Sequence, residues 1–187
     1  MKKSIINLGS LFLAVGFFFI SLNSFTQDIK LTRQEQKAAK EAIRNAQFIY
    51  LDTLLRSKSF VLEADFLQNQ YGDRIQVTPF LNFIQVNSSD IIMQTAANAG
   101  RGFNGVGGVT AQGTLISFKM VKNSKKSSYL LWFTVHSNIG SYDISMDVSS
   151  NQRARAVITG LSPGKIIYDG RLVSLKKSRT FKGWNSI

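Results

Sequence analysis

From Ser59 onward the hydrophobic period of the chain changes from three or four residues to two, and it stays at two almost to the C-terminus. Successive side chains of a strand point to opposite faces, so sustained alternation reads as a run of half-buried strands. Phe60, Leu62, Ala64 and Phe66 alternate with Val61, Glu63, Asp65 and Leu67 in the first of them. Further strands are expected over 80–86, 90–96, 109–121, 129–137, 140–148, 153–159 and 165–173. Pro79 cannot donate to a ladder and marks the start or an edge of its strand. Short polar turns such as Asn87-Ser88-Ser89 separate the strands and no helical pattern lies between them, so the expected sheet is an antiparallel meander.

One hairpin can be read in register. With Ser150-Asn151-Gln152 as its loop, Val148 faces Ala154, Met146 faces Ala156 and Ile144 faces Ile158. The same register sets Asp147 opposite Arg155 on the other face, as an expected exposed ion pair contributing well under ~1 kcal/mol. Upstream, 32–57 reads as a helix, with Ala39, Ala42/Ile43, Ala46, Ile49/Tyr50 and Leu54 along one stripe. Thr32 and Glu35 form a capping box at its start. That stripe has only the sheet to bury against. The expected class is therefore α+β: one N-terminal helix packed on a curved, mostly antiparallel sheet or partly closed barrel of about eight strands.

The opening of the chain is of another kind. Lys2 and Lys3 precede an apolar run from Ile5 to Leu22, followed by Ser24-Phe25-Thr26. A positive start, an apolar middle and a small-residue exit are what a signal peptidase reads, so 1–26 is expected to be a signal peptide and Gln27 the mature start. The competing reading is an uncleaved anchor; the run is near the lower length limit for a span, and the two lysines export the rest in either case. The expected address is the periplasm or cell envelope. With no cysteine in the chain, a lipoprotein anchor and disulfides are ruled out.

Removing the signal leaves about 160 residues, enough for one domain over 27–187 with a full core. It also lowers the basic residues from 23 to 21 against 11 acidic ones, a net charge of +10. Such a charge favours anionic neighbours, and export makes genomic nucleic acid an unlikely one.

Motifs of catalysis are sparse. Gly100 to Gly108 contains G-x-G-x-x-G, but it leads into a strand rather than a helix, so no helix N-terminus waits for a pyrophosphate. His136 is the sole histidine, and without cysteine it cannot build the usual zinc or iron–sulfur site, so no metal and no cofactor is expected. Glu63 with Asp65, and Asp143 with Asp147, lie on shared strand faces and are the candidates for carboxylate-pair hydrolysis. The tail from Lys176 to Trp184 mixes cations with aromatics. Lys176, Lys177, Arg179, Phe181, Lys182 and Trp184, joined by Arg101 and Phe103, form the candidate contact surface.

These residues also carry a family likeness. Phe60-Val-Leu-Glu-Ala-Asp65, Asn82-Phe83-Ile84, Asn104-Gly-Val-Gly-Gly108, Ile139 to Met146, Ala154 to Gly160, Tyr168-Asp-Gly170 and Phe181-Lys-Gly183 together resemble the exported domain-of-unknown-function family four-two-five-one, common in Bacteroidetes. The resemblance implies the same fold and address. It brings no established activity, so no catalytic residue is carried over. The leading expectation is a non-enzymatic binding or structural module of the envelope. A carboxylate-dependent hydrolase and a peripheral binder of anionic lipid or acidic glycan are the alternatives, and another envelope protein is a further partner to consider.

Overall fold

A computed structural model describes residues 32–96, 103–160 and 164–186. The expected signal peptide lies outside the described residues. The chain divides into two compact units, Met1–Lys37 and Ala38–Ile187. In the first, the described residues are the cap and opening turn of helix α1 (Arg33–Arg56). The capping box forms as expected: the Thr32 amide and hydroxyl donate to Glu35 Oε2 at 2.7 and 2.9 Å, and the Glu35 amide donates to Thr32 Oγ1 at 3.3 Å. These bonds, chiefly that from the Thr32 amide, hold the Glu35 carboxyl below its ordinary pKa.

The second unit holds the rest of α1 and a closed barrel. Its strands are β1 (Ser59–Gln68), β2 (Arg74–Gln76), β3 (Phe83–Asn87), β4 (Asp90–Ala96), β5 (Gly108–Asn123), β6 (Ser128–Ser137), β7 (Gly140–Ser149), β8 (Arg153–Thr159) and β9 (Lys165–Ser174). From β3 each strand pairs antiparallel with the next, β3 also pairs with β1, and β9 returns to β1. The sheet thus closes completely on eight strands, with β2 added along the end of β1. At the closing seam β1 bulges between Ala64 and Phe66. Gly170 stands opposite Ala64 there, and a Cβ on it would lie 1.9 Å from the Glu63 carbonyl oxygen, so only glycine lets the strands meet.

Side chains fill the interior. Phe60, Leu62, Ile84, Val86, Ile91, Met93, Leu131, Phe133, Ile144, Met146, Val148 and Leu172 are buried in it, with Ala64, Ala111, Ala154 and Ala156 leaving room for the rings of Tyr129 and Tyr168. Opposite the helix end, Met93, Ala111, Ile158 and Tyr168 line a shallow apolar mouth of about 190 Å³.

Several expectations need correction. The apolar stripe of α1 is not buried along its length: Ala38 to Ala46 are all exposed, and Ile49 is 69% exposed. Only Phe48, Leu51, Leu54 and Leu55, at the C-terminal end, pack on the barrel core. Position 80 does not open a strand. Thr78 to Asn82 form a turn closed by the Leu81 and Asn82 amides on the Thr78 carbonyl, and β3 begins at Phe83. The short strand β2 was not anticipated. The β7–β8 register is as expected, from Ile144↔Ile158 to Val148↔Ala154 with Asp147 opposite Arg155. The ion pair is not. Arg155 turns instead to Asp169, its direct partner on β9, at 2.9 Å, where the carboxylate is less exposed than that of Asp147.

Candidate ligand-binding face

The sheet register sets outward-pointing residues in rows. One row crosses six strands: Arg153, Arg171, Glu63, Phe83, Gln94 and Thr110 on β8, β9, β1, β3, β4 and β5. The C-terminal segment after β9 lies along this row. Ser178 donates its hydroxyl to Glu63 at 2.7 Å, the Phe181 carbonyl accepts from Gln94 Nε2 at 2.9 Å, and the Gly183 amide donates to Gln94 Oε1 at 2.8 Å. At its end the Ser186 amide donates to the Thr110 carbonyl, and Ser186 Oγ accepts from the Thr110 amide at 3.1 Å. The segment is a strap. It buries Val61, Phe83, Gln94 and Thr110 on what would otherwise be the outer face of β1, β3, β4 and β5.

The sequence-derived contact residues fall on or beside this strap. Lys176, Lys177, Arg179, Phe181, Lys182 and Trp184 are exposed. Phe181 stacks on Phe80 at 5.9 Å between ring centroids, Trp184 lies against Gly105, and Lys182 donates to Gln112 Oε1. Phe103 is also exposed, at the start of the turn into β5. Arg101 lies outside the described residues.

The opposite side of the barrel, from Ser117 of β5 onward to β9, carries no strap. Two adjoining grooves open on it. One, of about 480 Å³, is lined by Arg74, Arg153, Arg155, Asp147, Ser149 and Asp169. Here Arg155 reaches both oxygens of Asp169, at 3.1 and 2.9 Å, and Gln68 Oε1 at 3.1 Å. Arg74 stands 3.6 Å from the same carboxylate, its guanidinium held 4.0 Å above the Phe66 ring. Two cations therefore share one anion. Beside them Arg153 and Arg171 are direct cross-strand partners. Like charges so placed destabilise a sheet unless something neutralises them. Among the described residues Arg153 has one distant partner, Asp65 at 3.9 Å, and Arg171, which faces Glu63 on its other side, comes within ion-pair distance of no carboxylate. Ser178, bonded to Glu63 of that row, is flanked in the chain by the exposed Lys177 and Arg179.

The second groove, of about 450 Å³, surrounds Trp132. Lys119, Trp132, Ser145 and Val157 form one row and Ser117, Thr134, Asp143 and Thr159 the next. Ser117 donates to Thr134, which donates to Asp143 at 2.8 Å, while Lys119 Nζ lies 5.9 Å from the Trp132 ring. Sequence reasoning missed both grooves: the first adds Arg74 of β2 to β7, β8 and β9, and the second needs the register of four strands at once.

The carboxylate candidates do not converge. Asp143 and Asp147 are four residues apart on one strand, roughly 13 Å, beyond the ~5–9.5 Å of glycosidase pairs. Glu63 is engaged by Ser178, and Asp65, in the seam bulge, lies 3.9 Å from Arg153. His136 is exposed on the outer face with Nδ1 2.8 Å from Ser141 Oγ. Among the described residues no three carboxylates or imidazoles gather as a metal site.

Comparison with known proteins follows the fold. The family described as "Domain of unknown function (DUF4251)" matches residues 44–172. A crystal structure of a DUF4251 family protein from Bacteroides eggerthii is similar at 26% identity and a TM-score of 0.60, over 71% of this chain and 91% of that one. No curated protein matches.

Proposed function

The chain belongs to the DUF4251 family, defined by its domain and not by an activity, and from that premise we propose that it is an exported, non-enzymatic module of the cell envelope that binds an anionic polymer on the bare β5–β9 face. The observation that carries this reading is the facing pair Arg153 and Arg171, with Arg74 and Arg155 beside it, on a surface the strap leaves uncovered. A polyanion supplies the neutralisation that the acidic residues of the groove give only in part. The order of charge and hydrophobicity over 1–26 supports export.

The test is retention of the protein, expressed from its full sequence, on immobilised polygalacturonate and on immobilised polyphosphate. Retention on at least one, weakened about tenfold when Arg153 and Arg171 are both changed to alanine, is expected. Both arginines are exposed, so the double variant should fold normally, which its circular dichroism would check. Equal retention of variant and parent, or none by either, overturns the reading. Export is tested separately: mass spectrometry of the envelope fraction should find an N-terminus at Gln27, and intact Met1 in the cytoplasm argues against it.

A further inference from the structure

Resting on that reading, we infer that the anionic polymer is an acidic oligosaccharide, with a sugar ring stacked on Trp132 and its carboxylates on the arginines. The Trp132 groove has the chemistry of a saccharide subsite. A flat indole, 40% exposed on the outside of the barrel, offers its face to the C–H side of a pyranose. Around it stand the hydroxyls of Ser117, Thr134 and Thr159 and the carboxylate of Asp143. Asp143 accepts one bond from Thr134, at 2.8 Å, and keeps acceptor capacity for a sugar hydroxyl. Few precisely placed polar groups beside an aromatic surface fix a ligand's orientation.

The two grooves are linked through β7. Trp132 pairs with Ser145 and Arg155 pairs with Asp147, so the two side chains leave strands on either side of β7, two residues apart in register. That places their Cα atoms about 12 Å from each other. An oligosaccharide spans that distance and a single anion does not. The charge balance also differs: Asp143 and Lys119 offset one another on the Trp132 side, whereas Arg74, Arg153 and Arg155 outnumber Asp147 and Asp169 on the other. A chain of acidic sugars would set hydroxyls at the first and carboxylates at the second.

The test uses the full-sequence protein carrying Trp184→Phe, which leaves Trp132 as its one tryptophan emitter. Oligogalacturonate, inorganic polyphosphate and neutral dextran are titrated against it. Oligogalacturonate is expected to quench and shift Trp132 emission, and polyphosphate to bind without doing so. Trp132→Ala should weaken oligogalacturonate binding about tenfold while leaving polyphosphate binding unchanged, and Trp132→Phe should restore part of the loss. If Trp132→Ala leaves oligogalacturonate affinity within about twofold, the saccharide inference is wrong, whereas the polyanion reading survives provided polyphosphate still needs Arg153 and Arg171. Dextran binding as tightly as oligogalacturonate overturns the role of the arginines. Binding of no anionic polymer removes both.

Discussion

Gln94 shows how much of this molecule turns on single side chains. It is fully buried, and its amide uses its full bonding capacity: Nε2 donates to the Leu81 and Phe181 carbonyls, and Oε1 accepts from Thr110 and the Gly183 amide. Each buried polar group left without its partner costs ~1–3 kcal/mol. Gln94→Leu strands several at once, so it should destabilise the protein by about 3 kcal/mol or more, read as a fall in the urea midpoint. A midpoint unchanged by the substitution would mean that the strap is held by something other than this amide. Neighbouring Asn104 acts similarly, its Oδ1 accepting from Val106 and Gly108 and its Nδ2 donating to Thr95 and Thr110. Gly105 and Gly107 follow it at positive φ, so the glycines serve a turn built on an asparagine. The glycine motif was legible as a connection leading into a strand, but its organiser was not, because a buried asparagine looks in sequence like any polar loop residue.

At the scale of elements, α1 was legible in existence and extent but not in its docking. Periodicity marks a side of a helix as apolar; it does not say how much of that side a partner reaches. Here the barrel end reaches only the last turns, where Phe48 packs on Tyr129 at 5.1 Å between ring centroids and the Tyr129 hydroxyl donates to Asp52 at 2.5 Å. Asp52 also accepts from Arg56 at 2.8 Å, and this bond first, then that from Tyr129, lowers its pKa from an ordinary 3.8. Burial first, then the Asp52 bond, raises that of Tyr129 above an ordinary 10.0. A depressed carboxyl stabilises the fold above its unfolded value and loses that effect as pH falls through the folded one. A raised phenol does so below its unfolded value and loses the effect as pH climbs beyond it. Melting temperature should therefore hold level between about pH 4 and 10 with respect to this pair and decline on either side. Tyr129→Phe should shallow the alkaline decline without abolishing it, since Tyr168, raised by burial, has the same sign. An alkaline limb identical in the parent and Tyr129→Phe would show that the hydroxyl contributes nothing to docking.

The whole molecule divides into a strapped half and a bare half, and this division was the least legible feature. Alternation foretold strands, and one hairpin could be read residue by residue. Barrel closure, however, joins β1 to β9, and the arginine groove joins β2 to β7, β8 and β9, across separations that no local pattern records. The formal charge of +12 was plain from composition, but not its placement. The placement matters because salt acts on it in opposing ways. Screening relieves repulsion among excess cations in the folded state, where they are closer together than in the unfolded chain. Exposed pairs such as Arg153–Asp65 contribute about 0–1 kcal/mol each, so their weakening should not offset that relief. Raising sodium chloride from about 20 to about 500 mM should then increase melting temperature. Over the same range, affinity for an anionic polymer should fall, because the arginines that repel one another are those that attract it. Thermal melts and binding isotherms on one salt series would check both signs together. Arg153→Ala with Arg171→Ala should flatten both slopes, since it removes the facing pair that links them. If affinity loses its salt dependence in that variant while the melting slope stays as steep as in the parent, the ligand face and the source of repulsion are different surfaces.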